Sequence, residues 1–189
     1  MERKKAIKTL AAALGVFLVM LLCTAFIAVG TTRTQAVTAE YLRIHIRADS
    51  NEEEAQRVKY EVRDAVSEEL VKVLCAPRNK EEAKRAVRAH LSSIERVADE
   101  TLQKNGFTYR STAVFKTEYF PTRVYDGVTL PAGEYEAIVL LLGSGKGDNW
   151  WCVAYPPLCF SSFGGVAYKS LIIERIREWK ERRDVVKNG

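Results

Sequence analysis

The run from Leu10 to Val29 limits this chain more than any other feature. It holds twenty consecutive residues without a charge, and its only soft positions are Gly15, Cys23 and Thr24. As a helix it spans about 30 Å, the thickness of a bilayer's hydrocarbon core. A helix apolar all round needs cover all round, and a chain of 189 residues that is 28% charged has no apolar layer to spare for it. Arg3, Lys4, Lys5 and Lys8 precede the run and a long charged chain follows it. The sequence therefore predicts an amino terminus held inside and a remainder delivered across the membrane. Two fates stay open: an uncleaved transmembrane anchor, or a signal peptide cut near Val37-Thr38-Ala39. Against the second, secretory apolar cores are usually about 7 to 15 residues long.

The expected organisation is a signal or anchor over 1–30, a linker over 31–40, an exported domain over 41–168 and a basic amphipathic helix over 169–189. The exported part is long enough to bury one core. The basic cluster, offset by Glu2, carries three of the chain's five net positive charges. A remainder so nearly neutral is not built to neutralise phosphates, so no nucleic-acid partner is expected.

Within that domain Tyr41 to Arg47 alternates, Leu42, Ile44 and Ile46 against Arg43, His45 and Arg47, as a strand with one face on a core does. Asp49, Ser50 and Asn51 are helix-start signals, with Ser50 and Glu53 spaced as a capping box. Val58, Val62, Ala65, Val66, Leu70 and Val73 continue at helical spacing to Pro77. Asn79 with Glu82 opens a second helix through Ala83, Val87, Leu91, Ile94, Val97 and Leu102, stopped at Asn105-Gly106. Phe107 to Phe120 and Tyr135 to Leu142 read as strands, the second apolar enough to be covered on both faces. The predicted class is α+β: one small, mostly antiparallel sheet with two consecutive helices packed on it.

The densest segment is Asn149 to Phe160, NWWCVAYPPLCF, preceded by the glycine-rich turn Gly143 to Gly147. Trp150 and Trp151 suit either a small core or a contact surface. Gly145, Gly147, Pro156 and Pro157 read as framework, the turn presenting Asn149 and the tryptophans. In an oxidising space Cys152 and Cys159 are the natural pair, and closing their loop contributes about 2.5 kcal/mol on a chain-entropy estimate. Two buried thiols that never bond are the alternative.

Catalytic patterns are weak. A thiol hydrolase needs a cysteine beside an oriented histidine, and only His45 and His90 exist. Cys152 and Cys159 lack the second ligand pair of a structural zinc site. Lys146 is followed by Gly147 where a phosphate loop needs Ser or Thr. Glu134 and Glu136 share a strand face without an apolar pocket to separate their pKa values. No catalytic centre, metal, cofactor or small-molecule substrate is expected. Aromatic anchors with polar neighbours point instead to protein recognition, by Arg123, Tyr125, Asn149, Trp150 and Trp151.

Several blocks in order carry a more specific signal: Leu42 to Ser50, Lys59 with Val62 to Val66, Phe120 to Arg123 with Tyr125, Leu130 to Ala137, and the turn with NWWCVAYPPLCF. In these the chain resembles the stage II sporulation protein R family of endospore-forming bacteria. The resemblance implies a protein made in the forespore and exported into the space between the two sporulation membranes. There it signals to a membrane-embedded aspartic protease, which matures the sigma-E precursor. By that likeness the chain is a ligand and not an enzyme. A secreted cell-envelope enzyme and a structural envelope protein are the alternatives.

Overall fold

The computed structural model describes residues 14–25, 38–125, 128–156, 177 and 181. The chain divides into two compact units, 1–37 and 38–189. In the first, residues 14–25 form an exposed helix. Among the described residues no helix is long and apolar enough to cross a membrane. The rest of the Leu10 to Val29 run lies outside the described residues, as does the expected terminal helix apart from Arg177 and Glu181.

The second unit is α+β. Among the described residues six strands follow in chain order: β1 (Leu42–Arg47), β2 (Ser111–Phe120), β3 (Arg123–Tyr125), β4 (Val128–Leu130), β5 (Gly133–Leu142) and β6 (Asn149–Tyr155). Three helices, α1 (Glu53–Leu74), α2 (Lys80–Ala89) and α3 (Leu91–Lys104), lie between β1 and β2. The main sheet has the order β2-β5-β1-β6, and β3 with β4 forms a separate two-stranded ribbon.

This sheet is mixed rather than mostly antiparallel. β2 and β6 run antiparallel to their neighbours, while β1 and β5 pair in parallel from Arg43↔Ala137 to Arg47↔Leu141. Connectivity is the reason. The three helices carry the chain from β1 to the far edge, so β5 returns from β2 into the gap beside β1 and runs along it. That central place also explains why Ala137, Ile138, Val139 and Leu140 are all fully buried.

The helical spacing read from Val58 to Val73 puts Val58, Val62, Val66 and Leu70 against Leu42, Ile44, Ile46, Ile138, Leu140 and Leu142 in one core. The expected second helix is two helices. His90 ends α2 and begins α3, because its Nδ1–H takes the Ala86 carbonyl at 2.7 Å and its own N–H turns back to Val87 O. Asn79 caps α2 as expected, accepting from Glu82 N at 2.9 Å. The Ser50–Glu53 capping box does not form. Glu52 is the N-cap without a side-chain bond, and Ser50 Oγ meets only Glu52 N at 3.4 Å. Gly106, at φ +81°, ends α3 as expected. Phe107 and Tyr109 pack against the core before the strand begins at Ser111.

Candidate functional site

Strand alternation sends Arg43, His45 and Arg47 to the sheet face away from the helices. That face is covered, not solvated: Arg43 is 0% and His45 3% exposed. The Arg43 guanidinium sits 4.4 Å from the Phe120 ring, 4.9 Å from Tyr135 and 5.3 Å from Tyr125. Its Nε donates to Cys152 O and one Nη to Tyr125 Oη, both at 2.9 Å, while Nη1 is buried without a partner. Burial pushes this guanidinium below its usual pKa, and the two tyrosines pull it part of the way back. A cation held by rings and neutral oxygens costs desolvation unless its cage stays closed.

His45 lies beside it. Nδ1 meets Glu118 Oε2 and Nε2 meets Asn149 Oδ1, each at 2.8 Å, and the ring stacks on Trp151 with centroids 5.3 Å apart. Glu118 also binds Arg47 and lies 3.4 Å from Lys116. Burial raises the Glu118 carboxyl, but the His45 bond and the charges of His45, Arg47 and Lys116 outweigh it and hold the pKa below the usual value. His45 does not face Cys152. The sulfur side chain packs with Ile44 in the helix-side core, and the imidazole occupies the opposite face. No Cys–His pair forms there.

The β3–β4 ribbon contributes the outer layer. Tyr125 Oη donates to Trp151 O at 3.1 Å while accepting from Arg43. Arg123 is exposed and its guanidinium lies 4.9 Å over the Trp151 ring. Trp151 is half-buried between His45 and Arg123, with a buried, unpartnered Nε1. Arg123, Tyr125, Asn149 and Trp151 therefore converge on one face. Trp150 does not join them: one residue along the strand, it packs on the helix-side core with Arg63 of α1 5.9 Å over its ring.

The glycine-rich turn has a larger task than presenting tryptophans. It is sewn to the β1–α1 turn. Ser144 N donates to Asp49 Oδ1 at 2.6 Å, Ser144 Oγ to Asp49 O at 2.7 Å, Gly147 N to Ala48 O at 2.9 Å and Asp148 N to Asn51 Oδ1 at 2.7 Å. Gly145 has φ +62°, and a Cβ on Gly147 would lie 2.2 Å from Ser50 O. Asp49 and Asn51, read as helix-start residues, hold this turn instead. Cys152 is buried and Pro156 follows a cis peptide bond; Pro157 and Cys159 lie outside the described residues. Glu136 is paired with Lys80 and Lys84 of α2, at 3.0 and 2.7 Å, and Glu134 is exposed. Among the described residues no His, Cys, Asp and Glu cluster is placed to hold a metal.

Residues 38–164, which include both the caged Arg43 face and the sewn turn, match the sequence model of stage II sporulation protein R. The chain belongs to this family. It is 42% identical over 122 residues to "Stage II sporulation protein R" of Bacillus subtilis (strain 168), a match covering 65% of this chain and 54% of that protein. The chain thus spans about half the length of the relative it matches. No solved structure matches it. Membership gives the chain a role in sporulation.

Within this family member, sequence reasoning missed Arg43, Asp49, Asn51 and Glu118. A usable signal existed for the first and last. Three basic or imidazole side chains on one strand face call for a carboxylate on the same sheet face, and Glu118 of β2, across β5 from β1, supplies it.

Proposed function

We propose that this chain is an exported sporulation signal that activates a membrane-embedded aspartic protease across the intermembrane space and so triggers maturation of the sigma-E precursor. Family membership supports the pathway. The observation that carries a binding role is the mounting of Arg123 on Trp151: an exposed cation stacked on a half-buried indole, itself fixed by His45 and by the Tyr125 hydroxyl. Val124, between Arg123 and Tyr125, is 64% exposed and adds an apolar contact. Such a rigid aromatic and arginine pair loses little entropy on binding. Activation then requires tighter binding to the active arrangement of the protease than to the inactive one, since equal binding shifts nothing.

In the same reading the apolar run beginning at Leu10 delivers the domain, as signal or anchor. Cys152 and Cys159 close a disulfide there, supported by the free state of Cys23 and Cys75. Peptide mapping without reductant checks that bond.

Deletion of the gene in its sporulating host, followed by immunoblotting for sigma-E precursor and mature form, tests the signal. Precursor persists until the wild-type gene is restored; normal maturation in its absence would end the proposal. Restoration with Trp151→Ala or Arg123→Glu leaves the precursor uncleaved although both proteins fold by circular dichroism. Full maturation with both variants would move the contact elsewhere.

A further inference from the structure

We propose that the outer edge of β2, from Phe115 to Tyr119, accepts an extended acidic segment of the protease partner as an additional strand. Among the described residues β2 is one edge of the main sheet, and it is ten residues long. Gly143 N donates to Arg110 O, so the antiparallel register turns the backbone groups of Ser111, Ala113, Phe115, Thr117 and Tyr119 outward. The first two are sealed by α3: Ser111 N donates to Asp99 Oδ1 and Ala113 N to Glu95 Oε1, each at 2.7 Å. The next three have no cap among the described residues. An edge of this length is a template for strand addition unless blocked, and here only two of its five outward-facing residues are blocked.

Charge selects the occupant. Arg88 of α2 is exposed and lies 3.9 Å over the Phe115 ring on one side of the strand, and Lys116 is 46% exposed on the other. The carboxylate on this stretch, Glu118, is shared among His45, Arg47 and, at 3.4 Å, Lys116, so the basic groups outnumber it. An incoming acidic strand meets Arg88 and a Lys116 whose carboxylate contact, Glu118, is already held by Arg47. Phe115, Thr117 and Tyr119 share one face, and Tyr119 is 65% exposed, so alternate apolar side chains of the segment find an aromatic neighbour. Main-chain bonds would give affinity and the alternate side chains selectivity, as in other strand additions.

This inference rests on the proposed function, and the test separates the two. The full chain in mild detergent is mixed with the solubilised protease of the same host, and amide hydrogen exchange is read at Phe115, Thr117 and Tyr119 alongside binding. Protease binding with slowed exchange at these three amides is the expected result. Thr117→Pro keeps every bond to β5, because its N–H points outward, and proline is tolerated at such edge positions. It lowers affinity about tenfold or more by removing a donor and blocking the strand. Lys116→Glu weakens binding as well, and more at low salt. Binding with unchanged exchange and unaffected Thr117→Pro affinity overturns the edge site while sparing the function. Absence of binding overturns both. Slowed exchange in the chain alone, with a dimer mass, overturns the acidic partner in favour of a second copy.

Discussion

Gly147→Ala tests the sewn turn directly. The added methyl would lie 2.2 Å from Ser50 O, 2.5 Å from Ser50 C and 2.9 Å from Ala48 Cβ. It must open the first gap by about 0.8 Å to reach the 3.0 Å below which such contacts are essentially never seen. Neither side can retreat freely, because Gly147 N is bonded to Ala48 O at 2.9 Å, Lys146 N to Asp49 O at 3.2 Å and Asp148 N to Asn51 Oδ1 at 2.7 Å. Opening two of these bonds costs about 1 kcal/mol each, and residual crowding adds about 1 kcal/mol. Reduced freedom of the unfolded chain returns about 0.5 to 1 kcal/mol. The net is a destabilisation of about 2 kcal/mol. Urea unfolding of the full chain in mild detergent, followed by tryptophan fluorescence, reads it as a midpoint lower by about 1 M for a slope near 2 kcal/mol/M. Gly106→Ala is the control. There nothing lies within 4 Å but φ is +81°, so only the left-handed penalty of about 1 kcal/mol applies. A Gly147→Ala midpoint equal to wild type, or a smaller loss than Gly106→Ala, would refute the view that the two turns are locked together.

Tyr125→Phe removes the hydroxyl shared by Arg43 and Trp151 O and leaves a second buried Arg43 nitrogen unpaired. Stability should fall by about 2 to 3 kcal/mol, and a urea midpoint within error of wild type would show that the Arg43 cage tolerates an open side. The Glu118 pKa is lowered in the folded state. Its contribution is therefore full above the ordinary carboxylate pKa, about 4.3, and is lost as pH falls through the folded value. Glu118→Gln should be less stable than wild type at neutral pH and converge with it in acid; a pH-independent difference in urea midpoint would contradict this.

The periodicities of Leu42 to Arg47 and of Val58 to Val73, with the Asn79 cap and the Gly106 stop, were enough to place β1, α1 and the bounds of the α2–α3 region, because these signals act within a few residues. So were the α+β class and the two-faced burial of β5, which follow from an apolar run without alternation. The parallel pairing of β1 with β5 was not legible, since strand order depends on where a long crossover sets the chain down. Nor was the His90 break, where one imidazole competes with the backbone for the Ala86 carbonyl.

At the candidate site the sequence by itself determined which residues were unusual: the adjacent tryptophans, the basic alternation of Arg43, His45 and Arg47, and the glycines of the β5–β6 turn. Only the tertiary structure decided what they do. Alternation along β6 puts Trp150 into the core and Trp151 beside His45 on the other face. The β3–β4 ribbon closes over Arg43, and Asp49 and Asn51 become the anchors of a turn about a hundred residues away. These outcomes depend on which strand lies beside which, and short-range sequence patterns do not encode that, because contacts between distant segments arise only when the sheet is assembled.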